Sequence, residues 1–233
     1  MPGLIEILVW CLGFAAEVGV MVFAFRAKVF KRYLPLNLYM AACAAVELLR
    51  YNILNHYGFT SSNYVYFYYY SDALLTITLY LALISLFVIV FREMGAEKYV
   101  VWGAVLLLGG TALFSYLVVR DGTSRFGTTH FVVEMSQNLY FVGLVLTYVL
   151  WGAILKLRET RTQLIQLVLA LGVYFSLFAV NYAIRNIYPP SKQVTIALLQ
   201  IIGCFLPLAW AYSFWKIPKE ARLAPARLTV IPR

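Results

Sequence analysis

The sequence predicts an all-α integral membrane protein built as a bundle of seven transmembrane helices. Of the 233 residues, 63% are hydrophobic and 12% are charged, and the mean hydropathy is +0.79, which is incompatible with a water-soluble surface. The apolar residues fall into seven runs, each long enough to cross a bilayer as a helix of about 20 residues. None of the runs alternates polar and apolar residues as the strands of a membrane β-barrel would.

The seven predicted spans fill almost the whole chain. They lie near residues 4–25, 34–54, 66–91, 99–119, 128–155, 162–184 and 193–215. Their connections are short, so residues 1–215 are expected to form one membrane domain without a separate soluble module. Residues 216–233 then form a short basic tail.

Individual spans carry their own signals. The first lacks the basic region that precedes a cleavable signal peptide, so we expect it to be a retained helix. The third opens on the tyrosine-rich run of residues 64–70, which is typical of a membrane interface, where a ring is buried while its hydroxyl stays hydrated. The seventh contains Pro207, which would kink its helix. As an alternative to a role at the membrane interface, tyrosines of residues 64–70 that face inward could line a pocket.

Lysine and arginine predict the orientation of the bundle. Fourteen of them flank the spans on one side and five on the other, and basic residues stay on the cytoplasmic side. The N-terminus is therefore predicted outside and the C-terminus in the cytoplasm, in a multi-pass protein of the cell (inner) membrane. The net charge of +9 is then a topology signal that favours anionic lipid heads over nucleic acid as a partner.

The second and sixth spans end alike, which suggests an internal repeat. Residues 48–54 and 182–188 each contain an arginine next to or near an asparagine and a tyrosine. Spans one to three would correspond to spans five to seven, with the fourth as a linker. Such a 3+1+3 parallel repeat occurs in some transporters.

Polar stripes in the outer half of the bundle predict a ligand pocket. A charge in the bilayer costs several kcal/mol unless it is paired, hydrated or turned inward, and helical spacing places these residues on shared faces. The expected ligand-binding residues come from the second, third, fifth and sixth spans: Glu47, Arg50, Tyr51, Tyr69, Asp72, His130, Glu134, Gln137, Asn181 and Arg185.

The same residues could instead form a hydrogen-bond and ion-pair network that only fixes helix packing. Glu47 and Arg50 are expected to be able to pair within their helix. Glu17, in the inner half of the first span, and Gln200, in the seventh, lie outside the pocket. A polar path through these two residues would favour transport, whereas a gap would favour binding alone.

Several cofactors and chemistries lack the residues that they need. Retinal requires a lysine in the last span, and residues 193–215 contain none. Only two histidines are present, His130 and His56, which we place in a loop, so neither zinc nor haem is expected. Asp72 has no second aspartate to form a protease pair, and the Gly-x-Ser-x-Gly motif of serine hydrolases is absent. No constellation supports an enzyme, but an enzyme stays open as a further class.

Three functions remain open. The first is a receptor-like or sensor protein that binds a small polar or anionic molecule from outside and signals to a separate cytoplasmic or membrane protein. The second is a small secondary transporter, driven by protons through Glu134, Asp72 or Glu17. The third is an accessory subunit of a larger membrane complex that holds lipid, quinone or pigment.

Overall fold

The computed structural model describes residues 4–58, 61–92, 95, 97–120, 127–188 and 192–222. These residues form seven α-helices: α1 (Leu4–Arg26), α2 (Leu34–Tyr57), α3 (Ser62–Phe91), α4 (Glu97–Arg120), α5 (Gly127–Lys156), α6 (Thr162–Ile187) and α7 (Lys192–Lys216). Six of them are long and apolar enough to cross a membrane. The protein is therefore a helical membrane protein.

The remaining helix, α2, is the least apolar of the seven. It carries Glu47, Arg50 and three asparagines, and it is not among the six candidate spans. The prediction of a seventh span thus depends on α2 placing these polar groups inside the bundle, away from lipid. A membrane crossing by α2 stays a prediction.

Two local expectations change at the α2–α3 connection. We predicted His56 in a loop, which is wrong, because α2 continues through Tyr57. We predicted that the third span begins near residue 66, whereas α3 begins at Ser62. The Ser61 side chain accepts a hydrogen bond from the Tyr64 backbone N–H at 3.2 Å, and this N-cap starts the helix before its apolar part.

Six helices form a closed ring, and the fourth lies outside it. Around the ring each helix packs against the next in the order α1, α2, α3, α5, α6, α7 and back to α1, while α4 packs on α3 and α5. The two groups of three helices are neighbours in this ring. Their relation as sequence repeats stays a prediction.

The bundle has two distinct ends. Near the first, which we name the α2–α3 end, Trp10 of α1 stacks on Tyr51 of α2 with ring centres 5.5 Å apart. Near the second, named the α5–α6 end, Phe23 of α1 stacks on Trp215 of α7 at 6.1 Å. Helix α1 is therefore antiparallel to α2 and parallel to α7.

Most buried side chains in the half of the bundle towards the α5–α6 end are apolar, and the polar side chains of Asn37 and Gln163 are buried among them. The Trp210 indole N–H donates to the Leu167 carbonyl at 3.2 Å, so the one polar atom of this large ring is satisfied. Fully buried residues around it come from α1, α2, α3 and α6: Val20, Ala24, Leu36, Met40, Leu83, Leu86, Leu164 and Leu167. This apolar layer lies below the polar residues described in the next section.

Helices α5 and α6 approach closely at a glycine. A Cβ atom added to Gly143 would lie 2.5 Å from the Phe175 ring, and that ring is itself buried at 2% exposure. The ring is packed against Tyr140 and Tyr174. It therefore has little room to move aside for a methyl group.

We predict that Gly143→Ala destabilises the protein. Overpacking of a filled core costs about 1–3 kcal/mol, and this cost exceeds the gain in helix propensity from alanine. Thermal unfolding of the purified protein in detergent measures the change. The control is Gly152→Ala in the same helix, where an added Cβ meets nothing within 4 Å; equal stability of the two variants would contradict the prediction.

The turn between α5 and α6 is fixed by a carboxylate. Glu159 Oε1 accepts from the backbone N–H groups of Thr160 at 3.0 Å and Arg161 at 2.9 Å, and its side chain forms a salt bridge with the Arg161 guanidinium. The hydrogen bonds from Arg161 lower the pKa of Glu159 below its ordinary value of 4.5. The turn is tied to the chain after α7, because the Thr162 N–H donates to the Ala221 carbonyl at 3.1 Å.

We predict an acid-sensitive contribution from Glu159. Since folding lowers this pKa, the ionised carboxylate stabilises the folded state above pH 4.5, and that stability is lost as the pH falls through the lower, folded-state pKa. Glu159→Gln should lower the unfolding temperature at pH 7. The difference in unfolding temperature between this variant and the wild type should become smaller in acid. Glu220→Gln is the control, because Glu220 is exposed and its ion pair among the described residues is with Lys219. If this difference in unfolding temperature does not change with pH, ionised Glu159 does not stabilise the folded state as predicted.

Candidate functional site

Arg50 joins α2 to α3 inside the bundle. Its Nε and Nη2 donate to the Ser71 hydroxyl at 3.0 and 2.7 Å, and Nη2 also donates to the Tyr68 carbonyl at 3.2 Å. Its Cζ atom lies 4.4 Å from the centre of the Tyr68 ring, a distance at which a cation is attracted to the ring face. Tyr68 and Ser71 are one helical turn apart, so they present one surface to the guanidinium.

Asp72 and Tyr140 extend this polar region from α3 to α5. Asp72 is half-buried and interacts electrostatically with Arg50. One turn further along α3, the Thr76 hydroxyl donates to the Asp72 carbonyl at 2.8 Å. Tyr140 of α5 has polar interactions with Thr76 and Asp72.

Two carboxyl groups in the interior, one on α1 and one on α2, interact electrostatically. Glu17 is 6% exposed and interacts with Glu47, although the sequence analysis placed Glu17 outside the pocket. The Oε2 atoms of both are buried and have no hydrogen-bond partner among the described residues. Arg50 attracts Glu47, but its hydrogen bonds go to α3. These oxygens need a proton, water or a ligand, because a buried polar atom left unpaired costs stability.

Buried aromatic residues close the region on the side of α6. Tyr140 stacks on Phe178 with ring centres 4.6 Å apart and lies 5.9 Å from the Tyr182 ring. Tyr174 has polar interactions with Tyr39 and Tyr140. Asn181 is 2% exposed, and both polar atoms of its amide lack a partner among the described residues.

Other predicted site residues lie at the edge of the region or beyond it. Tyr51 is 54% exposed and stacks on Trp10, because consecutive helical residues point about 100° apart and Arg50 takes the inward direction. Tyr69 is half-buried, with its ring 5.7 Å from that of Tyr68. Glu134 and Gln137 are half-buried on α5.

Three predicted residues remain: Gln200, His130 and Arg185. Gln200 is exposed on α7, and the polar path through Gln200 and Glu17 stays a prediction. The side chains of His130 and Arg185 lie outside the described residues.

Several residues of this region escaped the sequence analysis. Ser71, Tyr39 and Tyr174 carry no charge and make no pattern that separates them from other residues of apolar spans. Tyr68 was noted only as part of the tyrosine-rich run of residues 64–70. Ser71 could have been found as the residue one turn beyond Tyr68.

The fold and composition define a multi-pass helical membrane protein with a polar region inside its ring. In comparisons with protein families, curated proteins and solved structures, no match to this chain was found.

We predict that Ser71→Ala loosens the α2–α3 contact. The change removes the acceptor of two bonds from Arg50, which we expect to cost about 1–2 kcal/mol in a membrane protein. Thermal unfolding in detergent measures the loss. The control is Ser85→Ala in the same helix, because Ser85 donates only to the Ala82 carbonyl one turn back. A similar loss in both variants would show that Arg50 gains nothing specific from Ser71.

Proposed function

We propose that this chain is a receptor-like or sensor protein that binds a small polar or anionic molecule inside its helical ring. In this proposal all seven helices span the cell (inner) membrane and the α2–α3 end faces outside. The basic residues at the α5–α6 end support this orientation through the positive-inside rule. The ligand enters the polar region from the α2–α3 end.

The observation that carries the proposal is the pair of unpaired carboxyl groups near Arg50. A network that served only for packing would pair its own members. Glu17 and Glu47 keep buried oxygens without a partner among the described residues, although they interact with each other and Glu47 interacts with Arg50. Buried polar atoms without such a partner also occur elsewhere: Asn37, Ser136, Gln163 and Asn181. Hydrogen-bond donors of a ligand would satisfy the two carboxylates.

Arg50 is suited to hold the opposite end of such a ligand. Its bonds to α3 use Nε and Nη2, and a guanidinium has two further N–H groups on Nη1. A carboxylate or phosphate group of the ligand could bind there without breaking the contact with Ser71. Asp72 would orient the guanidinium electrostatically.

The packing favours binding over transport. A carrier needs polar groups that continue towards both ends of the bundle. On the α5–α6 side of Glu17, the interior contains fully buried Val20, Ala24 and Trp210, while Gln200 lies on the exposed surface. The polar region is thus backed by an apolar layer. A signal would leave the protein by helix movement and pass to a cytoplasmic or membrane partner.

The test begins with mild purification and native mass spectrometry, which detects a retained molecule. Thermal unfolding is then followed with amino acids, dicarboxylates, inorganic phosphate and sugars as probes. We expect one chemical class to raise the unfolding temperature. Arg50→Ala and Glu47→Gln should each weaken its binding roughly tenfold or more, the effect of losing a hydrogen bond to a charged group.

The control is Glu220→Gln, which makes the same chemical change at an exposed position of the α5–α6 end. Stabilisation that persists unchanged in the Arg50 and Glu47 variants would refute binding in this region. Uptake of the bound probe into proteoliposomes would show that the protein is a carrier and not a sensor. A co-purified pigment or quinone would instead support an accessory subunit.

A further inference from the structure

A polar cavity lies at the α5–α6 end, away from the region around Arg50. It has a volume of about 180 Å³. Its charged and polar wall consists of Arg158, Glu159, Thr160, Arg161 and Arg222, and Val90 of α3 contributes an apolar wall. The cavity is therefore formed by three parts of the chain: the end of α3, the α5–α6 turn and the segment after α7.

Backbone and side-chain contacts hold these three parts together. Arg161 Nη2 donates to the Ile89 carbonyl at 3.5 Å, which ties the turn to α3. Arg222 forms an isolated antiparallel bridge with Arg161, and its Nη1 donates to the Thr160 hydroxyl at 3.5 Å. The arginines are thus placed by the fold around one space.

The charge of the cavity wall is unbalanced. Three guanidinium groups face one carboxylate, that of Glu159, and this carboxylate is already engaged by Arg161 and by two backbone N–H groups. The charges of Arg158 and Arg222 are not neutralised by it. Arg158 has a φ of 51° because it forms the left-handed C-terminal cap of α5, with the Glu159 N–H donating to the Ile154 carbonyl at 3.0 Å.

We propose that this cavity binds a phosphate group. Guanidinium groups from Arg158 and Arg222 would contact the phosphate oxygens in pairs of hydrogen bonds, the geometry for which arginine is suited. The Thr160 hydroxyl is available beside them. In the proposed orientation the cavity lies at the cytoplasmic ends of the helices, where both lipid headgroups and soluble phosphates are found.

The experiment uses the purified full chain in a neutral detergent and measures its unfolding temperature with two probes. One arm adds inorganic phosphate against chloride at equal ionic strength. The other adds phosphatidylglycerol against phosphatidylcholine in mixed micelles. We expect a saturable rise in one arm. A rise with inorganic phosphate identifies a soluble phosphate as the source, and a rise with phosphatidylglycerol alone identifies a lipid headgroup.

Variants locate the effect. Arg158→Gln and Arg222→Gln should each raise the apparent Kd roughly tenfold, because each loses charged hydrogen bonds. Arg161 is left intact because it holds the turn. The control is Arg26→Gln, which removes an equal charge from an exposed position at the end of α1, outside the cavity.

If neither probe gives a saturable rise in the unfolding temperature, the proposal is overturned. An equal loss of the rise in Arg158→Gln, Arg222→Gln and Arg26→Gln would also overturn it, because that result indicates general attraction to basic residues. Arg222→Lys provides a further variant that retains the charge but not the paired geometry, and it should bind more weakly than the wild type. The result is independent of the proposed function, because the two sites lie at opposite ends of the bundle.

Discussion

The contact between Arg50 and α3 is the interaction on which the polar half of the interior depends. A guanidinium cannot lose its charge in a protein, so an arginine inside an apolar ring must be surrounded by acceptors. Ser71 and the Tyr68 carbonyl supply them, and the Tyr68 ring covers the guanidinium face. This fixes α2 against α3 and sets the position from which Arg50 acts on Glu47 and Asp72.

The interior consequently divides into two layers with different physical roles. Towards the α5–α6 end, apolar side chains and a satisfied tryptophan make a packed core. Helices α5 and α6 approach closely at Gly143. Near Arg50, buried carboxyl oxygens of Glu17 and Glu47 remain unpaired among the described residues. A folded protein tolerates such atoms where water, protons or a ligand complete their hydrogen bonds. The packed layer supplies stability, and the polar layer supplies chemistry.

Much of the fold could be predicted from sequence, whereas the site could be predicted only in part. The apolar runs located all seven helices, and the predicted bounds missed the start of α3 because the Ser61 cap lies before the apolar residues. The spacing of Glu47 and Arg50 correctly put two charges on α2 near one another. It could not say that Arg50 would turn to Ser71, because that hydrogen bond depends on which helix lies beside α2.

The sequence by itself determined the helical membrane class, since hydropathy and helical periodicity are properties of local stretches of chain. Only the tertiary structure decided which face of each helix is inside. These helices are apolar on nearly all sides, so periodicity gives no inward direction: Tyr51 and Gln200 are exposed, whereas Glu17 is buried beside Glu47. The position of α4 outside the ring was decided in the same way. Contacts between helices, which no local pattern encodes, select these arrangements.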